Sequence, residues 1–196
     1  MSDDVSNEIR KDMGVSNVEA EAGGLAKYRK YVERALAMPG VVDALLITAD
    51  QVVFDGRTYL KCMYGCTGWN NSWVCPSAPG ALKPWEAEPL LRKYKAILLI
   101  HTHDKESSHK ASLAIESEAF VDGYYFAFSL SDCSLCRNGC TYPGGEPCRF
   151  PQKARPAAQG MGIDVFATAR GLGLPIKTLA SASEEEQNWY SFVFIE

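Results

Sequence analysis

Hydrophobic positions in the first quarter of the chain change from helical to strand-like spacing. A repeat of three and four residues predicts an amphipathic helix, and the residues that carry it are Leu25, Tyr28, Val32 and Leu36. Pro39 and Gly40 end that helix. The apolar run at 41–48 then predicts a strand. Residues 52–54 and 58–60 predict a hairpin that turns at Asp55-Gly56.

The rest of the chain alternates between helical and apolar segments. The predicted helices are residues 85–94, a helix capped by Ser107 or Ser108 that runs to about 120, and residues 161–170. The predicted strands are residues 96–102, 124–130, 175–179 and 189–195.

This order of elements predicts one α/β or α+β domain over residues 23–196, preceded by a flexible acidic tail at 1–22. Strands separated by helices favour parallel crossovers, and the hairpins favour antiparallel edges. We therefore expect a mixed sheet flanked by helices, with two irregular cysteine-rich loops at one edge.

Composition narrows the classes of function. Hydrophobic residues make up 46% of the 196 residues and charged residues 22%, which is typical of a globular domain large enough to fold without covalent staples. The net charge of −4 argues against nucleic acid as a partner. No apolar run has the length of a membrane span, and the polar start of the chain lacks the pattern of a secretion signal. We expect a cytoplasmic protein with no membrane partner, in which thiols stay reduced.

All seven cysteines fall into two groups, which we expect to bind metal. The first cysteine loop, residues 61–80, has the spacing C-x3-C-x8-C-P and contains Cys62, Cys66 and Cys75. The second cysteine loop, residues 133–148, has the spacing C-x2-C-x3-C-x7-C and contains Cys133, Cys136, Cys140 and Cys148. Short steps between cysteines let neighbouring thiolates converge on one soft metal centre.

The spacing alone leaves the metal open between iron–sulfur clusters, one or two of the [4Fe–4S] type, and zinc. The glycine-rich and aromatic loops, with proline after the thiols, favour iron–sulfur. Three cysteines in the first loop predict a cluster with one open iron, unless a further side chain completes it. The candidates for that position are His101, His103, His109 and Asp104, which an ordinary polar surface also explains.

Four other residues are candidates for contact with a cofactor. Arg149 and Arg155 flank the end of the second loop and are suited to balance thiolate charge or bind an anion, although pairing with an acidic neighbour such as Asp164 explains them equally well. Trp69 and Trp73 are suited to shield a cluster or stack on a planar ligand, and packing of the loop is the alternative.

The two halves of the chain also suggest an internal duplication. Each half has a predicted strand, the spacing C-x3-C-x7/8-C, a proline-rich segment, a helix and an apolar strand. If the repeat is real, both cysteine loops leave equivalent strands at the same edge of one sheet.

Two segments resemble the DUF2284 family of predicted metal-binding proteins of unknown function. They are CMYGCTGWNNSWVCPSAP and the more specific CSLCRNGCTYPGGEPCRFPQKARPAAQGMGIDVFATARGLGLPI. The resemblance covers nearly the whole chain beyond the tail, and Ser77 departs from the second proline that the family leads us to expect. It implies metal binding through these cysteines and supplies no reaction.

The combined expectation is an iron–sulfur protein that takes part in redox chemistry or electron transfer. Its partner would be a redox protein or a small-molecule substrate. The alternative is a zinc protein with a structural four-cysteine site and a role in protein interactions. Under the first reading the second loop relays electrons and the first loop meets the substrate.

Overall fold

An antiparallel sheet of four strands organises the structure, a computed structural model that describes residues 24–178 and 186–196. The strands are β1 (Val41–Ile47), β2 (Ile97–Thr102), β3 (Phe128–Leu130) and β4 (Trp189–Phe194), in the order β1-β2-β4-β3. The α-helices of the described residues are α1 (Arg29–Leu36), α2 (Thr58–Gly65), α3 (Pro84–Leu91), α4 (Lys105–Val121) and α5 (Val165–Gly171). The predicted tail at 1–22 lies outside the described residues.

Helices cover both faces of the sheet because β2 and β4 are apolar on both sides. Ile97 and Leu99 of β2 face a core that includes α3, α5 and the 3-10 helix Ala158–Met161. Leu98 and Ile100 face α1 and α4 on the other side. Alternating side chains thus serve two cores, which gives the continuous apolar run of β2.

The predicted single domain with helices on a sheet is confirmed, but the parallel pairing within it is wrong. Strands β2 and β3 run in the same direction across α4, as a parallel crossover requires. The last strand, β4, then inserts between them and pairs antiparallel with both. Strand β1 is also antiparallel to β2. The result is a split βαβ arrangement, which local sequence does not distinguish from a contiguous one.

The predicted hairpin at 52–60 is also wrong. The Asp55 carboxylate accepts the backbone N–H of Arg57 at 2.8 Å, and this turn leads into α2 rather than into a strand. Phe54 pairs instead with Ile163, far along the chain. Aspartate favours such a local turn because its side chain competes for nearby backbone N–H groups.

Other predicted elements are confirmed with changed limits. Strand β3 is shorter than predicted because Tyr124 donates its backbone N–H to the Ala119 carbonyl of α4, and Ala127 donates its N–H to the Tyr124 carbonyl. Helix α4 begins earlier than predicted because Asp104 caps it by accepting the Ser107 N–H at 2.8 Å. Residues 175–178 form no strand, and residue 179 lies outside the described part.

The predicted duplication loses two of its four strands, because residues 58–60 belong to α2 and residues 175–178 form no strand. The other two are present as β2 and a shorter β3, so neither half of the described chain has the full repeat. Within the described residues, no helix is long and apolar enough to span a membrane.

Candidate metal centre

The second cysteine loop follows β3 in the chain, and side chains of α4 hold it in place. Glu116 of α4 accepts the backbone N–H of Ser129 at 2.7 Å and its hydroxyl at 2.6 Å. The same carboxylate forms a two-point ion pair with Arg155, whose Nε lies 2.9 Å away. Both side chains are largely buried, with 12% and 13% of their surface exposed. One carboxylate therefore fixes both the entry to the loop and the segment that follows it.

His109 forms a second tie between α4 and the loop. Its Nδ1 lies 2.8 Å from the Ser131 hydroxyl, and its ring is buried. Burial, and then the positive charge of Arg155, lower the pKa of His109, so the ring is neutral at neutral pH. The ring also lies near the Lys153 carbonyl, but Nε2 has no partner in hydrogen-bond geometry among the described residues.

The first cysteine loop is held less firmly. Cys62 belongs to α2, a helix with no buried residue, and Cys66 follows at its end in an exposed position. Aromatic contacts fasten the helix: the ring of Tyr59 lies 5.5 Å from both Trp69 and Trp85, in edge-to-face geometry. No buried ion pair comparable to Glu116–Arg155 ties this loop within the described residues.

The tip of the first loop packs against the second loop. Trp73 donates its indole N–H to the Glu146 carbonyl at 2.9 Å, and its ring meets the Tyr142 ring edge-on at 5.0 Å. The Tyr142 hydroxyl in turn lies 3.1 Å from the Asn70 side-chain oxygen. The two cysteine loops, far apart in sequence, therefore share one interface.

The seven cysteines are free thiols, and their surroundings differ. Burial, then the nearby Cys66 and Cys75, raise the pKa of Cys62 to about 11. Burial also raises the pKa of Cys133, although backbone N–H groups of Leu135 and Arg155 oppose it. A group with a raised pKa is protonated at neutral pH, so metal binding there would release a proton.

Cys140 is different because it faces the first loop. Burial alone would raise its pKa, but backbone N–H groups of Tyr142 and Trp73 and the Ser72 hydroxyl outweigh burial and bring the pKa below its usual value. The first loop thus contributes two of the groups that stabilise this thiolate. Cys75 also receives a hydroxyl contact, from Ser77 at 3.0 Å.

The thiols are neighbours without being gathered at one point. Among the described residues, no three Cys, His, Asp or Glu side chains lie close enough together to hold a metal ion. Binding would therefore require the loops to draw the thiols inward.

The four candidate cofactor contacts have partners in the protein. Arg155 pairs with Glu116 and not with Asp164, which instead caps α5 by accepting the Ala167 N–H at 2.9 Å. Arg149 is exposed and donates to the Gly139 carbonyl at 3.0 Å, inside the second loop. Trp69 and Trp73 make the loop contacts described above.

The candidate histidine ligands also have partners outside the cysteine loops. His101 is buried between Asp43, at 3.1 Å, and Asn188, at 2.8 Å. His103 lies against its ring and contacts the Gln187 carbonyl at 3.0 Å. Only His109 touches a residue next to a cysteine group, through Ser131.

Sequence reasoning missed the residues that hold the loops in place. Glu116, Ser129 and Ser131 carry no motif. The available signal was the pair of serines flanking Leu130 at the end of an otherwise apolar strand, because buried hydroxyls need partners.

Comparison with known proteins finds a match to one family model. No curated protein and no solved structure matches the chain. A family model described as "Predicted metal-binding protein (DUF2284)" matches residues 45–195, a span that contains all seven cysteines and both loops. The chain therefore belongs to the DUF2284 family of predicted metal-binding proteins.

Proposed function

We propose that the chain is an iron–sulfur protein that transfers electrons, with its clusters held by cysteines of the two loops. The observation that carries the proposal is the packing of the first loop's tip against the second loop, through Trp73 and Tyr142. That contact brings two groups of free thiols into adjoining segments of one region.

The donor set fits such a group chemically. Thiolates are soft ligands that favour iron–sulfur clusters, zinc or copper(I) over hard cations. Six of the seven thiols are partly buried, which suits a group whose reduction potential depends on exclusion of water. A bound cluster would supply one-electron transfer.

The residues around the thiols have defined tasks in this proposal. Backbone N–H groups of Leu135 and Arg155 point to Cys133, and those of Tyr142 and Trp73 point to Cys140. Such hydrogen bonds to sulfur stabilise negative charge and raise the potential of a thiolate-bound group.

The two loops differ in their capacity to complete a site. We propose that the three cysteines of the first loop leave one ligand position open to a substrate, and that the four of the second loop relay electrons. The electron partner would be a protein or a small molecule in the cytoplasm. Cys140 faces the first loop. If Cys140 binds the same cluster as the three cysteines of the first loop, no ligand position is left open there and this assignment of roles is wrong.

Anaerobic purification followed by iron, zinc and sulfide analysis with a visible spectrum tests the proposal. We expect a brown protein that contains iron and acid-labile sulfide in similar amounts. A colourless protein with stoichiometric zinc and no sulfide would contradict it and support the zinc alternative, a structural four-cysteine site with a role in protein interactions.

Cys75→Ser tests the open position at the first loop. We expect this variant to lose cluster content or change its spectrum, because it removes one of the three thiols of that group. A spectrum and metal content equal to wild type would argue against a ligand at this position.

A further inference from the structure

A cavity of about 440 Å³ opens between the two cysteine loops. Its walls come from the first loop on one side and from the second loop and the segment after it on the other. The residues that form them include Trp73, Val74, Pro147, Cys148, Pro151 and Ala154. This volume lies within the range of small-molecule sites in proteins.

Contacts between the two loops hold the walls of the cavity. The indole of Trp73 is held by its hydrogen bond to the Glu146 carbonyl and by the Tyr142 ring. Pro147 and Pro151 restrict the backbone opposite. Gly145 also lines the cavity with a φ of +70°, and a Cβ there would meet nothing within 4 Å.

The chemistry of the walls selects the class of ligand. None of the described residues that line the cavity carries a charged side chain. Of the charged residues next to the lining residues in sequence, Glu146, Arg149 and Lys153 are exposed to solvent, and Arg155 is paired with Glu116. An anionic ligand would therefore lose water without gaining a partner in the wall, whereas a flat apolar molecule would cover Trp73 and the prolines.

We propose that this cavity binds a small, uncharged, largely apolar organic molecule against Cys148. Binding itself does not require the proposed function. One consequence does rest on it: a ligand that contacts Cys148 would change the spectrum of a cluster bound by that thiol.

Equilibrium dialysis of the purified, metal-loaded protein with two matched probes tests the proposal. Naphthol is uncharged at neutral pH, and naphthalenesulfonate carries the same ring with a negative charge. We expect one naphthol per chain, and binding of the sulfonate weaker by at least about tenfold, because its charge has no partner in the wall. Equal affinity for the two probes would overturn the assignment.

Variants that fill the cavity from opposite walls locate the site. Ala154→Phe fills it from the second-loop side and Val74→Phe from the first-loop side, and each should weaken naphthol binding at least about tenfold. Ala37→Phe is the control for Ala154→Phe, because it makes the same substitution at an exposed position at the end of α1. It should leave naphthol binding unchanged. If one filled variant does not fold, the other decides, and naphthol binding unaffected by a folded filled variant would contradict the proposal.

The binding test for the cavity and the metal analysis for the proposed function can fail independently. A zinc-loaded, colourless protein that binds naphthol in this pattern would retain the cavity site and refute only the iron–sulfur proposal. A protein that contains iron and sulfide but binds neither probe would retain the cluster and refute only the cavity site.

Discussion

The two cysteine loops have similar spacing but differ in how they are held. Glu116 and His109 of α4 anchor the second loop at both ends through buried polar contacts. The first loop begins in α2, which buries no residue, and depends on aromatic contacts and on its interface with the second loop. The comparison indicates that the second loop is a fixed platform, and that the first loop is the part able to move when the thiols gather around a metal.

Among the substitutions that test this difference between the loops, removal of the Glu116 carboxylate should lower the free energy of unfolding the most. Glu116→Ala leaves the largely buried Arg155 without its counter-ion and should lower the free energy of unfolding by about 3–5 kcal/mol in urea titrations. Glu88→Ala is the matched control, because it breaks the exposed pair with Arg92 and should cost less than about 1 kcal/mol. Equal costs in the two variants would show that the second loop is not anchored here.

Ser131 provides the next largest test of the anchored loop. Ser131→Ala removes the hydroxyl that lies 2.8 Å from Nδ1 of the buried His109, and should cost about 1–3 kcal/mol of unfolding free energy. Ser134→Ala, three residues further along the chain, is a control of the same chemistry at a less buried position. A neutral Ser131→Ala would contradict a structural role for the buried histidine.

The contact between the loops should contribute less than either anchor. Trp73→Phe keeps an aromatic ring near Tyr142 and removes the N–H that reaches the Glu146 carbonyl, so we expect a loss of about 1 kcal/mol. The measurement is the shift of the urea midpoint at constant slope. A shift as large as that of Glu116→Ala would mean that the interface, and not α4, holds the loops.

The smallest effect is expected on the exposed surface of α2. Tyr64 is 82% exposed, so Tyr64→Ala should change the unfolding free energy by no more than about 0.5 kcal/mol. Thermal or urea unfolding of the purified variant is sufficient to measure it. A cost above about 1 kcal/mol would show that the first loop is more tightly packed than its burial indicates.

Local sequence patterns predicted the elements whose formation depends on residues close together in the chain. The apolar run that contains Ile97 to Ile100 predicted β2. The first predicted cysteine loop is helical at Cys62. Interactions between distant residues were not predictable in this way. Glu116 and Arg155 are 39 positions apart, and nothing in either segment specifies the other.

The order of strands shows the same limit. Residues 189–195 correctly predicted a strand, but only packing of the whole chain determines that β4 enters between β2 and β3. The sequence at Asp55 is compatible with a hairpin turn and with a turn that begins a helix, and the chain adopts the second.

The most direct test of the account counts metal and sulfide loop by loop under anaerobic conditions. Serine would replace Cys62, Cys66 and Cys75 in one variant and Cys133, Cys136 and Cys148 in the other. We predict that wild type contains iron and acid-labile sulfide, and that each variant loses a distinct share of both while the other loop keeps its own. Wild-type protein without sulfide, or metal content unchanged in both variants, would contradict the claim that these two loops hold iron–sulfur clusters.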